Sequence, residues 1–249
     1  MLFGGRLIPV FFLLALCVVA LTDDAKTSRD HAQKLFDEQP RTVERVRDAS
    51  KEFDAIVTAA ADNYDDVVRA ARVWLWLSEN ETAKAVRHEA ALRVLELSRS
   101  AVKLDNKRVE GHFYLGVALG TLADVERGLS AFGRIKEMKV ELLRAIALDE
   151  TFDEAGPHRT LGQLLLEAPG EPISVGNAAA AAKHIKRAVE LSPNYPENQI
   201  VLALLLRSQR DTKGATTAAQ KVLDAKPWQG KEDEDAKWKA AAKKILNPK

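Results

Sequence analysis

Cysteine is almost missing from this sequence: its 249 residues include one, Cys17. No intramolecular disulfide can form, so the fold has to be held by packing. Charge of one sign is missing as well, with 37 Lys and Arg against 36 Asp and Glu. Once Arg6 is set aside, basic and acidic side chains are equal in number, which removes the electrostatic case for nucleic acid. No period-two run of β-branched residues occurs, so no sheet is expected. The five histidines, His31, His88, His112, His158 and His184, have no metal-binding spacing. His88-Glu89 lacks the second histidine of a zinc helix. No phosphate loop, nucleophile elbow or dinucleotide fingerprint is present. The expectation is a protein without metal or cofactor that is not an enzyme.

What is there begins with an apolar segment. Arg6 supplies a short basic region, Leu7 to Leu21 run without a polar residue, and Thr22-Asp23-Asp24 end the run. This stretch is short for a bilayer span, which takes roughly 20 residues, and suits a signal peptide over Met1–Thr22. Small residues allow cleavage after Ala20 or after Thr22, and an uncleaved anchor is the alternative. Cys17 follows Leu14-Ala15-Leu16 in a lipobox-like order, but a lipobox has a small residue where Leu16 stands. Lipidation of Cys17 and a plain apolar role in a discarded segment are its two readings. The expected location is the periplasm or envelope, with membrane contact only through this segment.

The remainder reads as helix. Apolar residues recur at three- and four-residue spacing from Thr27 to Phe36 and from Thr42 to Ala61, with Gln39-Pro40 between them. From residue 63 two series alternate. One contains Trp74-Leu75-Trp76-Leu77-Ser78, Gly111-His112-Phe113-Tyr114-Leu115-Gly116, Gly156-Pro157-His158-Arg159-Thr160-Leu161-Gly162 and Asn198-Gln199-Ile200-Val201-Leu202-Ala203. The other contains Ala101-Val102-Lys103-Leu104, Ala145-Ile146-Ala147-Leu148 and Ala188-Val189-Glu190-Leu191. Small residues on a first helix (Gly116, Gly162, Ala203) let its partner approach, and those on the second (Ala101, Ala145, Ala188) let the next unit approach. Pro193 and Pro196 mark a turn, because proline lacks an amide hydrogen and disfavours helix in the residue before it.

Residues 196–227, with Leu202-Ala203, Ala215, Val222 and Pro227, resemble a tetratricopeptide repeat. The expected fold is all-α, a tetratricopeptide-like array of helical hairpins. Its parts are N-terminal helices over 23–62, four degenerate units at about 63–106, 107–150, 151–193 and 194–227, and a capping helix within 228–249. The upstream units exceed the standard repeat, which places extra residues in the hairpins, within 120–136 and at 168–177. In the latter segment Asn177 is expected to cap the following helix, with a lip over the groove or a subunit contact as the alternative.

A narrower resemblance rests on Leu148-Asp149, Phe152-Asp153, Gly156-Pro157-His158-Arg159, Leu161-Gly162, Ala168-Pro169-Gly170, Ser174-Val175-Gly176-Asn177, Ala181, His184-Ile185 and Ala188. Together these are similar to the T component of tripartite ATP-independent periplasmic (TRAP) transporters. The resemblance implies a scaffold that docks a periplasmic solute-binding protein, passes small apolar ligands through a central hole and assembles as a trimer. A general tetratricopeptide adaptor in envelope assembly is the alternative. It also implies that the first helix of each unit lines the concave surface. The candidate binding residues are then Phe113, Val117, His158, Arg159, Gln163, Ile200, Leu204 and Arg207. His112 and His158 share one repeat position, and each is either a hydrogen-bonded, semi-buried packing residue or a polar rung in a channel.

Overall fold

The helix-forming residues of the sequence are realised in a computed structural model that describes residues 25–126 and 128–247. The expected signal segment, with Cys17, lies outside the described residues. The helices are α1 (25–37), α2 (Val43–Ala59), α3 (Tyr64–Asn80), α4 (Lys84–Leu104), α5 (Val109–Glu126) and α6 (Leu129–Leu148). They continue with α7 (Phe152–Glu167), α8 (Ala178–Leu191), α9 (Pro196–Ser208), α10 (Thr212–Asp224) and α11 (Asp235–Leu246). Among the described residues the only extended pairing is an isolated bridge between Gly170 and Gly176. No described helix is long and apolar enough to cross a membrane.

Several helix starts are set by side chains that accept otherwise unpaired backbone N–H groups. Thr42 caps α2 through the Arg45 amide, Asn63 caps α3 through Asp66, Asn177 caps α8 through Ala180, and Asp211 caps α10 through Gly214. Each such cap contributes about 0.5–2 kcal/mol. Pro196 opens α9 at a position where its missing N–H costs nothing.

Four helical hairpins follow one another: α3 with α4, α5 with α6, α7 with α8 and α9 with α10. Small residues set how closely they pack. A Cβ at Gly116 would come within 3.0 Å of the Leu142 side chain, and one at Gly162 within 2.5 Å of Ile185 Cγ1. Ala101, Ala145, Ala188 and Ala203 are all fully buried. Gly133, by contrast, has nothing within 4 Å of where its Cβ would stand. Gly162→Ala should therefore destabilise the protein by about 1–3 kcal/mol through overpacking. Gly133→Ala should stabilise it by about 0.5–1 kcal/mol through helix propensity. Urea unfolding of the two variants checks both signs.

The extra length within 120–136 is helix: α5 reaches Glu126 and α6 starts at Leu129, so the hairpin is lengthened and no loop is inserted. Leu119 and Leu122 on α5 and Leu142 on α6 are fully buried, and Gly120 lies against Met138, so the longer helices extend the apolar seam between them. The 168–177 segment is a compact loop folded onto the end of α7. The Gly176 amide donates to the Pro169 carbonyl (2.9 Å) and the Asn177 amide to the Leu165 carbonyl (2.8 Å). A Cβ at Gly176 would lie 2.0 Å from the Ala168 carbonyl oxygen, so only glycine fits there.

Candidate functional site

The first helices of the four hairpins, α3, α5, α7 and α9, stand side by side, and the chain that follows them crosses back to the beginning. Arg41 donates to Asp233 Oδ1 (2.9 Å) and to the Gly230 carbonyl (2.9 Å), while Trp76 Nε1 donates to Asp233 Oδ2 (2.9 Å). Gln39 donates to the Gly230 carbonyl (3.1 Å), and Lys237 reaches the Asn80 side chain. Trp238 Nε1 donates to Glu197 (3.1 Å), tying α11 to α9. The array is thereby closed into a ring around a cavity of about 550 Å³.

Five of the eight candidate residues line this cavity: Phe113, Val117, Arg159, Gln163 and Ile200. Two of the five are wall more than surface, since Phe113 is 5% and Arg159 6% exposed. The resemblance to the transporter T component put them on the concave face. The aromatic contacts of Phe113 with Phe152 (5.4 Å) and Tyr114 (5.7 Å), and the ion pairs of Arg159, cover most of their area. The other three candidates lie elsewhere. Leu204 packs against the C-terminal cluster that holds Trp238 and Ala242, because α11 covers that side of α9. Arg207 is exposed in the last turn of α9.

His158 faces away from the cavity. Its Nδ1 lies 2.9 Å from His184 Nδ1 and its Nε2 lies 3.2 Å from Glu150. A carboxylate accepts, so His158 carries its proton on Nε2, and the assigned network has His184 donating to His158. Burial, the neighbouring His158 and Lys183 push His184 down to about 4, and burial lowers His158 as well, so both rings are neutral at pH 7. His112 holds the equivalent place, 2.6 Å from Glu141 and 3.1 Å from the Asn106 carbonyl. At both positions the packing role is the one observed: a buried imidazole ties the first helix to the second and to an adjoining turn. Among the described residues no three His, Cys, Asp or Glu side chains are grouped to hold a metal.

Arg159 organises the cavity wall. It pairs with Asp153 Oδ2 (3.0 Å) and Glu197 Oε2 (2.9 Å), donates to the Asp153 and Glu154 carbonyls and to Asn198, and lies over the Tyr195 ring. Beneath it the backbone of Asp153, Glu154 and Ala155 is left-handed, with φ of 48°, 56° and 62°. For residues bearing a Cβ this costs roughly 1–2 kcal/mol each. Asn198 holds the same turn by donating to the Glu154 carbonyl (3.0 Å), and Ser192 by donating to the Glu154 carboxylate (2.5 Å). The turn aims the Asp153 carboxylate at Lys231 (2.9 Å) as well as Arg159. Burial pushes the Asp153 carboxyl up, but Lys231 and Arg159 outweigh it and hold it below its ordinary value.

Two carboxyls on the cavity behave oppositely. Glu79 is exposed and lines the cavity. The protein packed around its carboxyl, with the charges of Glu197 and Glu234, pushes it up to about 8 against the pull of Lys237 and Lys231. Burial pushes Glu234 up to about 7, with Lys231 and Arg41 opposing and Glu197 and Asp233 adding to the rise. In the unfolded chain such carboxyls ionise at the ordinary value of 4.5. Above that pH the native state has to surrender a proton it retains, and stability falls until about pH 8. Glu79→Gln should therefore match the parent protein in melting temperature near pH 5 and exceed it near pH 9, by calorimetry at both values.

Sequence reasoning missed Arg72, Trp76, Glu79, Lys231 and Glu234. Arg72, Trp76 and Glu79 recur on one face of α3 at three- and four-residue spacing, a signal present in the sequence. Nothing local marks Lys231 or Glu234, which reach the cavity only because the ring closes.

Hairpins packed in series, with their first helices turned inward, define an α-solenoid of the tetratricopeptide type, here closed at its ends. The chain belongs to the TRAP transporter T-component family, which matches residues 33–235. A thermophilic tetratricopeptide protein of Thermus thermophilus superposes with a TM-score of 0.67 at 17% identity, over 89% of this chain and 98% of that one. The pilF protein of Pseudomonas aeruginosa gives 0.54 at 17% identity, over 90% and 94%. The MamA protein gives 0.51 at 17%, over 86% and 94%. At such identities these likenesses concern the fold. No curated protein sequence matches the chain significantly.

Proposed function

We propose that the protein is an exported, non-catalytic scaffold of a TRAP-type transport system, which docks a periplasmic solute-binding protein and holds a small ligand in its central cavity. The observation that carries this reading is the cavity of about 550 Å³, lined by all four first helices and by the chain after α10. Its volume falls within the roughly 300–1,000 Å³ range of small-molecule sites. Family membership supports the transport setting, the solute-binding partner and a trimeric assembly. The apolar segment 7–21 supports export through a signal peptide over 1–22.

The closed ring also favours this reading over a general peptide-binding adaptor. An open array would offer its concave groove to an extended segment, whereas here residues 230–238 lie across that groove. In this reading Val117, Gln163 and Ile200 face the ligand, and Phe113 and Arg159 fix the wall around it.

Sedimentation velocity of the protein mixed with the TRAP-type solute-binding protein of the same organism tests the docking half. A reversible complex is expected. Two species sedimenting independently at every concentration would count against it. For the cavity half, Gln163→Trp should abolish ligand retention with the fold intact by circular dichroism, and unchanged retention would remove the cavity from the account.

A further inference from the structure

The central cavity adjoins a second space. Glu79, Val117, Thr160 and Gln163 line both it and a groove of about 660 Å³ between α5, α6 and the end of α7. These four residues form the boundary, here called the neck, between the two chambers. Beyond it the groove is walled by Ala123, Ala131, Phe132, Ile135, Met138 and Leu164, with Arg87, Asp124 and Glu167 on the same lining. The 168–177 loop contributes Ala168, Pro169 and Ser174 to its lining. Met138, an unbranched and adaptable side chain, stands against Gly120 at the centre of this wall.

The inner chamber is charged, and its ion pairs leave a remainder. Arg41 is matched by Asp233, Lys231 by Asp153, and Arg159 by Asp153 and Glu197. Arg72 and Lys237 form no ion pair with a described residue. The Arg72 guanidinium rests 5.2 Å from the centre of the Phe36 ring, and Lys237 donates to a neutral amide. Both side chains are exposed, and both bring cationic heads to cavity water. The two carboxyls that could balance them, Glu79 and Glu234, form no ion pair with a described residue either. The protein packed around their carboxyls and the charge of Glu197 raise both, so they hold protons near neutrality. The remainder is therefore positive, and a protonated Glu79 at the neck presents an O–H donor.

We propose that the two chambers form one site for an anionic amphiphile, with its head group in the inner chamber against Arg72 and Lys237 and its straight apolar tail running through the neck into the groove. The shared chemistry is a carboxylate or phosphate head on an alkyl chain. A cationic head would meet the unpaired cations, and a short anion would leave the groove empty. The proposal rests on the reading that the cavity holds a ligand, and it adds the ligand's class.

The test is isothermal titration calorimetry of the intact protein with dodecanoate, dodecyl phosphate, dodecyltrimethylammonium and butanoate, each below its micelle concentration. One or both long-chain anions should bind, and which is tighter separates a carboxylate source from a phosphate source. Each methylene added to the chain should tighten binding about fourfold, from about 0.8 kcal/mol per buried CH₂. Arg72→Gln should weaken the long-chain anions tenfold or more, and Gln163→Trp should abolish them. Ile135→Asp should remove the chain-length dependence, so the claim does not hang on one variant. Equal binding of the ammonium and the anions would overturn the proposal, as would dodecanoate affinity indifferent to both Arg72→Gln and Gln163→Trp. If the solute-binding protein forms a complex but no alkyl anion binds, the amphiphile site is refuted and the scaffold reading stands.

Discussion

Replacing Arg159 by methionine should destabilise the protein by about 3–5 kcal/mol, the range for removing one member of a buried ion network. At roughly 2–4 °C per kcal/mol for a chain of this size, the melting temperature should fall by about 10 °C. Two losses combine. Asp153 and Glu197 lose their shared cation, while the Asp153 and Glu154 carbonyls lose the donors that hold a left-handed turn. Methionine keeps most of the apolar stem, so packing contributes little to the change. Arg159→Lys should recover only part of it, because an ammonium cannot serve two carboxylates and two carbonyls in the fixed geometry of a guanidinium. Thermal unfolding of the three proteins at one pH gives the ranking.

Opening the ring should have an effect of similar size. Asp233 accepts from Arg41 and Trp76, and the Arg41 and Asp233 side chains are 3% and 7% exposed. Asp233→Ala leaves the Arg41 guanidinium buried without its counter-charge and should cost about 3–5 kcal/mol. The damage should be local before it is global: amides in residues 228–247 and 38–42 should lose hydrogen-exchange protection together, while α5 and α6 keep theirs. The double variant Arg41→Met, Asp233→Leu should recover most of the stability, because an apolar pair of similar volume removes the buried charge altogether. Persistent protection at both ends in Asp233→Ala would mean that the closure does not depend on this pair.

The repeat was legible because its physics is local. Small residues at Gly116, Gly162 and Ala203, and at Ala101, Ala145 and Ala188, are spaced by the helix period and mark where helices touch. Asn177 was legible as a cap because it follows a proline–glycine segment and precedes a run of alanines. The cavity was half legible. Phe113, Val117, Arg159, Gln163 and Ile200 follow from the family resemblance, which puts the first helix of each unit on the concave surface but does not say what covers that helix. Leu204 was therefore placed in the groove, although α11 covers it, and Arg207 was carried one turn beyond the concave face.

The rest depends on contacts that no window of sequence contains. Lys231, Asp233 and Lys237 meet Asp153, Arg41, Trp76 and Asn80 across separations of 78 to 192 residues. The left-handed turn at 153–155 has no glycine to announce it, and it exists because Arg159 and Asn198 hold it from outside.

The most direct test of the scaffold reading is native mass spectrometry of the protein purified from its own cell envelope. The expected spectrum shows the chain in complex with a solute-binding protein, and dissociation of that complex releases the chain with a small molecule retained. A spectrum of the bare chain alone, with neither partner nor ligand, would contradict the account.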